Sequence, residues 1–125
     1  MKRFAVSLLL ALIFPLFAHA VGDPYSSQKF DALNRAGKPV LVAVHADWCG
    51  VCRAQDQVLK KLLSQPEYRG ITALRVDFDT QQQAVRKFGV RYQSTLIVYK
   101  DGEMAGRMTG ETESAKIAAL LRSVL

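Results

Sequence analysis

Residues 46–53 read ADWCGVCR and contain both cysteines of the 125-residue chain, Cys49 and Cys52. Residues 40–44, VLVAV, lie just before this stretch and form a continuous apolar run rich in β-branched side chains. Such a run predicts a strand that is covered on both faces. The apolar residues that follow recur at helical spacing, which predicts a helix over residues 49–63. The cysteine pair therefore lies where a buried strand passes into a helix.

The first twenty residues differ in composition from the rest of the chain. Two basic residues open it, residues 4–17 are largely apolar, and residues 18–20, AHA, place small side chains where a signal peptidase requires them. The apolar part is shorter than the roughly 20 residues that span a bilayer. These features predict a signal peptide over residues 1–20 and a mature domain over residues 21–125, periplasmic or secreted after cleavage near Ala20. An uncleaved N-terminal anchor is the alternative.

Charge and length limit the possible partners. The formal net charge is +6, and loss of Lys2 and Arg3 with the leader would leave +4, which is 6 minus 2. The basic residues are scattered rather than gathered in a stripe, which argues against a nucleic-acid partner. Removing 20 of 125 residues leaves 105, enough for one modest core. We expect a single domain and a monomer.

The spacing of the cysteines indicates chemistry rather than a structural staple. Export would place them in an oxidising compartment, where a disulfide is stable. A bridge between Cys49 and Cys52 would close only a very short loop, and the stabilisation by a disulfide grows with loop length. Such a bridge would restrain the unfolded chain little.

The rest of the chain alternates helical and strand patterns. An Asp101-Gly102 pair between two strand-like runs predicts a hairpin. The resulting order is α-β-α-β-α-β-β-α, without repeats or low-complexity segments. The predicted helices cover residues 28–36, 49–63, 80–88 and the chain from about 112, and the predicted strands cover 40–44, 71–78, 95–99 and 103–109.

This chain resembles the thioredoxin family over most of its length, residues 28–125. Residues 48–52, WCGVC, match the family's W-C-G-x-C motif, and residues 88–91, FGVR, and 95–102, TLIVYKDG, match its second half, as does Gly110 before the last helix. The resemblance implies an α/β, thioredoxin-like three-layer fold, with a central mixed sheet of about four strands flanked by helices. The family's usual first strand is missing or very short here.

The resemblance also implies a thiol-disulfide oxidoreductase whose only redox group is the Cys49–Cys52 couple, with no cofactor and no metal. At a helix N-terminus, free backbone N–H groups and the helix dipole would stabilise the Cys49 thiolate and lower its pKa. Cys52, one turn further on, would be more buried and would resolve the mixed disulfide. By resemblance, Trp48 shields one side of the site and Gly50 allows a tight turn.

Two positions near the pair depart from the family pattern. The family has a cis-proline just before the residue that matches Thr95, where it shapes the groove for the partner, and Ser94 replaces it here. A trans peptide is expected, because a cis bond before a non-proline residue costs about 2.5–4 kcal/mol. The Ser94 hydroxyl could reach the sulfurs. Thioredoxins also carry a buried aspartate six positions before the first cysteine, and Ala43 stands there, which leaves water, Arg75 or neither group to take the Cys52 proton.

Two further residues near the pair have uncertain effects on its chemistry. Val51 stands between the cysteines, where many thioredoxins have proline, and it tunes the reduction potential with a sign that the sequence does not give. His45 is either a packed core residue or an influence on the pKa of Cys49.

These residues together predict an exported enzyme that exchanges disulfides with disulfide- or thiol-bearing exported proteins. A membrane thiol reductant or oxidant would restore it, with the direction of electron flow left open. Two alternatives use the same residues. One is a metal or iron–sulfur site built on Cys49, Cys52 and possibly His45, which is short of the four ligands that structural zinc prefers. The other is a binding module that keeps the fold and makes little use of the cysteines.

Overall fold

The computed structural model describes residues 19–125, so most of the predicted signal peptide lies outside the described residues. Within residues 19–125 the chain forms five strands, four α-helices and one short 3-10 helix. The strands are β1 (Asp23–Pro24), β2 (Val40–His45), β3 (Thr72–Asp77), β4 (Thr95–Lys100) and β5 (Glu103–Thr109). The helices are α1 (Ser27–Arg35), α2 (Gly50–Leu63), α3 (Gln82–Lys87) and α4 (Ser114–Arg122), and the 3-10 helix is Pro66–Tyr68.

The apolar run predicted as a buried strand is the centre of the sheet. The strand order is β1-β3-β2-β4-β5, so β2 has a neighbour on each side. It pairs in parallel with β3 and antiparallel with β4. β4 and β5 form the predicted hairpin, with Asp101 and Gly102 at positive φ values of 51° and 80°, as a tight turn of this kind requires. A register shift at Val98/Tyr99 interrupts this ladder.

Alternate residues of the central strands supply two cores, one on each face of the sheet. Leu41 and Leu96 face α2 and α4, whereas Val42 and Ile97 face α1 and α3. Because side chains alternate along a strand, a fully apolar strand can fill both cores at once. The predicted three-layer α/β fold is therefore confirmed.

The structure corrects the predicted number of strands from about four to five. The additional strand is β1, which consists of the two exposed residues Asp23 and Pro24, parallel to β3. So short a polar segment has no alternation that a sequence pattern could reveal. It pairs with β3 opposite Leu74 and Arg75, and the next backbone N–H, that of Tyr25, donates to the carbonyl of Arg75 at 2.8 Å.

The helix boundaries also shift by a few residues for local reasons. α3 begins at Gln82 rather than Thr80, because the Asp77 carboxylate accepts the N–H groups of Asp79 and Thr80 and holds a turn there. No helix within residues 19–125 is both long and apolar enough to cross a membrane.

The core on the α4 side gives a direct test of this packing. Leu121 is fully buried there, and Leu121→Ala is expected to lower the free energy of unfolding by about 2–5 kcal/mol through lost contacts and a residual cavity. Leu125→Ala makes the same chemical change at an exposed position and should cost less than about 0.5 kcal/mol. Urea denaturation measures both, and equal losses would contradict the assignment of α4 to the core.

Candidate functional site

The two cysteines lie at the start of α2, directly after β2. The N–H of Cys49 donates to the carbonyl of Ala46 at 3.0 Å, and Cys49 then takes the extended conformation of a residue that caps a helix. Its Sγ accepts the backbone N–H of Cys52 at 3.1 Å. The sulfur therefore occupies the place in which an oxygen of Ser, Thr, Asn or Asp usually caps a helix. The helix begins at Gly50, one residue after the predicted start at residue 49.

Both sulfur-bearing residues are free thiols and both are buried. Cys49 is 5% exposed and Cys52 is 2% exposed, and they pack together with Ala46 and the half-buried Phe78. Cys52 is the deeper of the two, as expected for the residue that acts second. Cys49 is therefore the more accessible of the two to a partner sulfur.

Burial gives the two cysteines different chemical characters. It raises the pKa of Cys52 from 9.0 to about 11, and the hydrogen bond and negative charge of Cys49 add to the effect. Backbone groups of Ala46 and Ser94 act in the opposite direction but do not offset it. Cys52 is therefore a neutral thiol at pH 7 and has to lose a proton before it can attack a disulfide.

Ser94 lies beside the pair with a strained backbone. The Gln93–Ser94 peptide is trans, as expected, and Ser94 has a φ of +57°, a left-handed conformation that costs a residue of this type roughly 1–3 kcal/mol. Its hydroxyl donates to the carbonyl of Gln93 at 2.6 Å. The expectation that this hydroxyl could donate a hydrogen bond to a cysteine sulfur is therefore wrong for this structure, because the hydroxyl donates to the Gln93 carbonyl instead.

A buried glutamine that sequence reasoning missed holds this loop in place. The amide of Gln55 donates to the carbonyl of Ser94 at 3.1 Å and to that of Glu111 at 2.9 Å. The N–H of Ser94 donates to the carbonyl of Val44 at 2.8 Å, and the N–H of Gly110 donates to the carbonyl of Ser94 at 3.0 Å. A polar residue on the buried stripe of a predicted helix is the signal that could have found Gln55.

The other residues predicted for the site surround the pair. Trp48 is 60% exposed, and its Nε1 donates to Asp79 Oδ2 at 2.7 Å, which fixes the indole beside the site. Val51 is exposed on the first turn of α2. Thr95 is buried, and its hydroxyl donates to the carbonyl of Tyr92 at 2.8 Å. Trp48 and Val51 therefore expose apolar surface on either side of Cys49 in the chain, whereas Thr95 is buried at the start of β4.

Gly50 does not have the role that the resemblance implies. It is the first residue of α2 and does not adopt a left-handed conformation. A Cβ added there would meet nothing nearer than the Arg53 guanidinium, at 3.9 Å, which is an ordinary contact distance. The turn into the helix therefore does not require a glycine at this position.

The residues that could accept the Cys52 proton differ in their contacts and in their distance from the pair. Arg75 does not take part in this proton transfer, since its guanidinium donates to the carbonyls of Ala20 and Gly22, at 2.8 Å each, and holds the segment before β1. His45 lies 3.1 Å from the Asp47 carboxylate and lines a small cavity together with Cys52. In the part of the chain that the structure describes, no three His, Cys, Asp or Glu side chains gather as metal ligands.

Comparisons with known proteins agree with this geometry. A sequence model described as thioredoxin matches residues 23–123. The thioredoxin of Pseudomonas aeruginosa is 33% identical over 104 residues, which are 82% of this chain and 94% of that protein. A thioredoxin of Mycobacterium tuberculosis is 36% identical over 89 residues, 71% of this chain and 73% of that protein.

Solved structures show the same similarity. The crystal structure of Trxlp from Edwardsiella tarda has a TM-score of 0.78 and 42% identity, and the match covers 81% of this chain and 98% of that one. The thioredoxin of Fasciola hepatica has a TM-score of 0.68 and 26% identity, with 78% and 90% covered.

The strain at Ser94 predicts that glycine stabilises this position. Ser94→Gly should raise the free energy of unfolding by about 0.5–1 kcal/mol, because glycine adopts positive φ without a steric penalty. Ser64→Gly is the control at φ −77°, where glycine relieves no backbone strain and the same change should not raise the free energy of unfolding. Urea denaturation of both variants is the measurement, and a loss of stability in Ser94→Gly would contradict the strain.

Proposed function

Because this chain belongs to the thioredoxin family, and is therefore a thiol-disulfide oxidoreductase, we propose that it is exported and exchanges disulfides with exported proteins through Cys49 and Cys52. The observation that carries the proposal is the hydrogen bond from the Cys52 N–H to Cys49 Sγ at the start of α2. It aims a helix N-terminus at one sulfur and keeps the second sulfur one turn away. The thioredoxin family uses no cofactor for this chemistry.

The exchange takes place in two displacements at sulfur. The Cys49 thiolate attacks a partner disulfide, forms a mixed disulfide and releases one partner thiolate, which takes up a proton. Cys52 then loses its proton and attacks the Cys49 sulfur, so that a Cys49–Cys52 disulfide forms and the second partner thiolate leaves. Two electrons pass from the pair to the partner, and the reverse sequence donates a disulfide.

Exposed apolar groups around Cys49 support a protein partner. Trp48, Val51 and Tyr92 are exposed, and Tyr92 lies next to the loop that carries Ser94. Aromatic side chains of this kind are common at protein interfaces. We therefore infer that a partner chain bearing a disulfide or thiol docks on these exposed side chains, which brings its sulfur to Cys49.

One feature of the sequence and one of the structure support export. The leader has the basic, apolar and small-residue segments of a signal peptide. The folded domain begins directly after the predicted cleavage position, because the carbonyl of Gly22 is held by Arg75 and β1 follows at Asp23. In an exported protein, a membrane thiol reductant has to reduce the oxidised Cys49–Cys52 pair again, or a membrane oxidant has to reoxidise the reduced pair.

An insulin assay on exported protein tests both parts of the proposal. The full-length chain, expressed in a Gram-negative host, should appear in the periplasmic fraction without its leader and should reduce insulin disulfides with dithiothreitol as the electron source. Cys49→Ser should lose this activity, and Cys52→Ser should stop at a mixed disulfide that intact-mass measurement detects. Activity retained by Cys49→Ser would refute the exchange mechanism, and protein retained in the cytoplasm would refute export.

The pH dependence of the second step follows from the burial of Cys52. In the reduced pair its pKa is raised to about 11, and burial, the largest cause, persists when Cys49 is bound in a mixed disulfide. The reactive Cys52 thiolate should therefore become more abundant as pH rises from 7 to 9. Stopped-flow reaction with an aromatic disulfide should show one thiol released by Cys49 and a second released by Cys52. The second phase should accelerate steadily with pH, and Cys52→Ser should lack it. A second phase that levels off below pH 8 would contradict the raised pKa.

A further inference from the structure

Asp56 is a buried carboxylate that the exchange chemistry does not use. It follows Cys52 by one turn of α2 and is 9% exposed. Asp56 and Cys52 line a common cavity of about 10 Å³ together with Ala43 and His45, which is roughly the space of one water molecule. A buried carboxylate is costly unless it is paired, so its partners are informative.

Two nitrogen atoms approach this carboxylate. Oδ1 accepts the backbone N–H of Val21, and Oδ2 lies 3.1 Å from the ammonium of Lys60. The Lys60 side chain is 39% exposed, whereas Val21 is half-buried and packs against the core on the α2 side. The inner oxygen of Asp56 is therefore directed at a backbone nitrogen near the beginning of the described chain.

Val21 is also the residue that cleavage after Ala20 would leave first. That hydrolysis breaks the peptide bond between the two residues, with water supplying OH to the Ala20 carbonyl carbon and a proton to the Val21 nitrogen. At neutral pH the new Ala20 carboxyl group then releases its proton and the Val21 amine takes one up, so that a neutral amide with one N–H becomes an ammonium group, whose ordinary pKa is about 7.7–8.0. The amide N–H already donates to a carboxylate, so cleavage adds the attraction between two opposite charges, which is screened less at a partly buried place than in open solvent.

We propose that Asp56 is the binding site for the α-ammonium group of Val21 in the processed protein, so that removal of the leader adds an ion pair beside Cys52. The inference rests on the proposed export and cleavage and is independent of the direction of disulfide exchange. It assigns a maturation-dependent contact to a residue outside the WCGVC motif.

Contacts that remain in the mature chain hold the segment next to Val21. Gly22 has a φ of +94°, and a Cβ there would lie 3.1 Å from the Ala73 carbonyl oxygen, so this backbone fits closely against β3. Its carbonyl accepts from Arg75, and Asp23 pairs with β3. Among the contacts of residues 19–125 with the leader, cleavage removes the bond from Arg75 to the Ala20 carbonyl. The new ammonium group would therefore remain at Asp56.

The pairing of the Val21 ammonium group with Asp56 determines how folding stability depends on pH. The ion pair raises the pKa of the α-amino group above its unfolded value, so its stabilising contribution is complete below about pH 7.7 and is lost as pH rises through the raised pKa. The other titratable groups around the pair are Lys60, Cys52 and Arg53 on α2, His45 on β2, Asp47 in the turn after β2, and Arg75 on β3, which bonds to Gly22. A control with a displaced N-terminus is needed to separate their titration from that of Val21.

The test compares two N-termini of the exported full-length chain. The first is the natural sequence, and the second carries Gly-Ser inserted between Ala20 and Val21, so that cleavage leaves Val21 as an amide. Asp56→Asn is made in both, and intact mass identifies each N-terminus. At pH 6.5, Asp56→Asn is expected to lower the folding equilibrium constant at least about tenfold more in the natural form than in the inserted form, equivalent to about 1.4 kcal/mol. The difference should vanish by about pH 10.

Controls separate this inference from the proposed function. Asp31→Asn removes an exposed carboxylate on α1 and should affect both forms equally. If Asp56→Asn does not fold, the pKa of the Val21 amino group, measured by NMR in the natural form, should exceed 8.5. Equal effects of Asp56→Asn in both forms, an unraised amino pKa or a mature N-terminus elsewhere overturns the inference. Insulin reduction by the same samples reports on exchange independently.

Discussion

One backbone hydrogen bond, from the Cys52 N–H to Cys49 Sγ, joins the fold of this chain to its chemistry. The sulfur caps α2, so the group that stabilises the first turn is also the group that reacts. β2 fixes its position, because it is buried between β3 and β4 and leads directly into the helix. A disulfide sulfur is a poorer acceptor than a thiolate, so oxidation weakens the cap that the reduced pair provides.

The surroundings of the pair are organised by groups other than those that the family resemblance emphasises. The loop at Ser94 is held by the amide of Gln55 and by backbone bonds to β2 and Gly110, which offset a strained conformation. Ala43 leaves room beside Cys52, and a different carboxylate, Asp56, lies at that cavity from the helix side. The site thus keeps its sulfur chemistry while its supporting contacts have changed.

Sequence patterns were sufficient for the central features, because these depend on local periodicity. The VLVAV run, the stripe of α2 and the Asp101-Gly102 hairpin each follow from neighbouring residues. The first strand was expected to be missing or very short, and β1 has only two exposed residues, which carry no period that could locate it. The shifted start of α3 depends on the Asp77 side chain. The Arg75 guanidinium and the Gln55 amide act across long sequence separations, and no local pattern specifies such contacts. The Ser94 hydroxyl bonds to the adjacent Gln93 carbonyl, which depends on the backbone conformation of Ser94.

The two outer strands have a consequence for how the sheet meets other chains. β1 offers only two residues along one margin, and Pro24 has no N–H to donate. β5 forms the other margin, carries Glu103 and Arg107, and is bent by the register shift opposite Val98/Tyr99. Short, charged or irregular margins are poor templates for intermolecular strand addition. Partner proteins that approach the reactive sulfur therefore find little opportunity to add strands to this sheet and extend it into an aggregate.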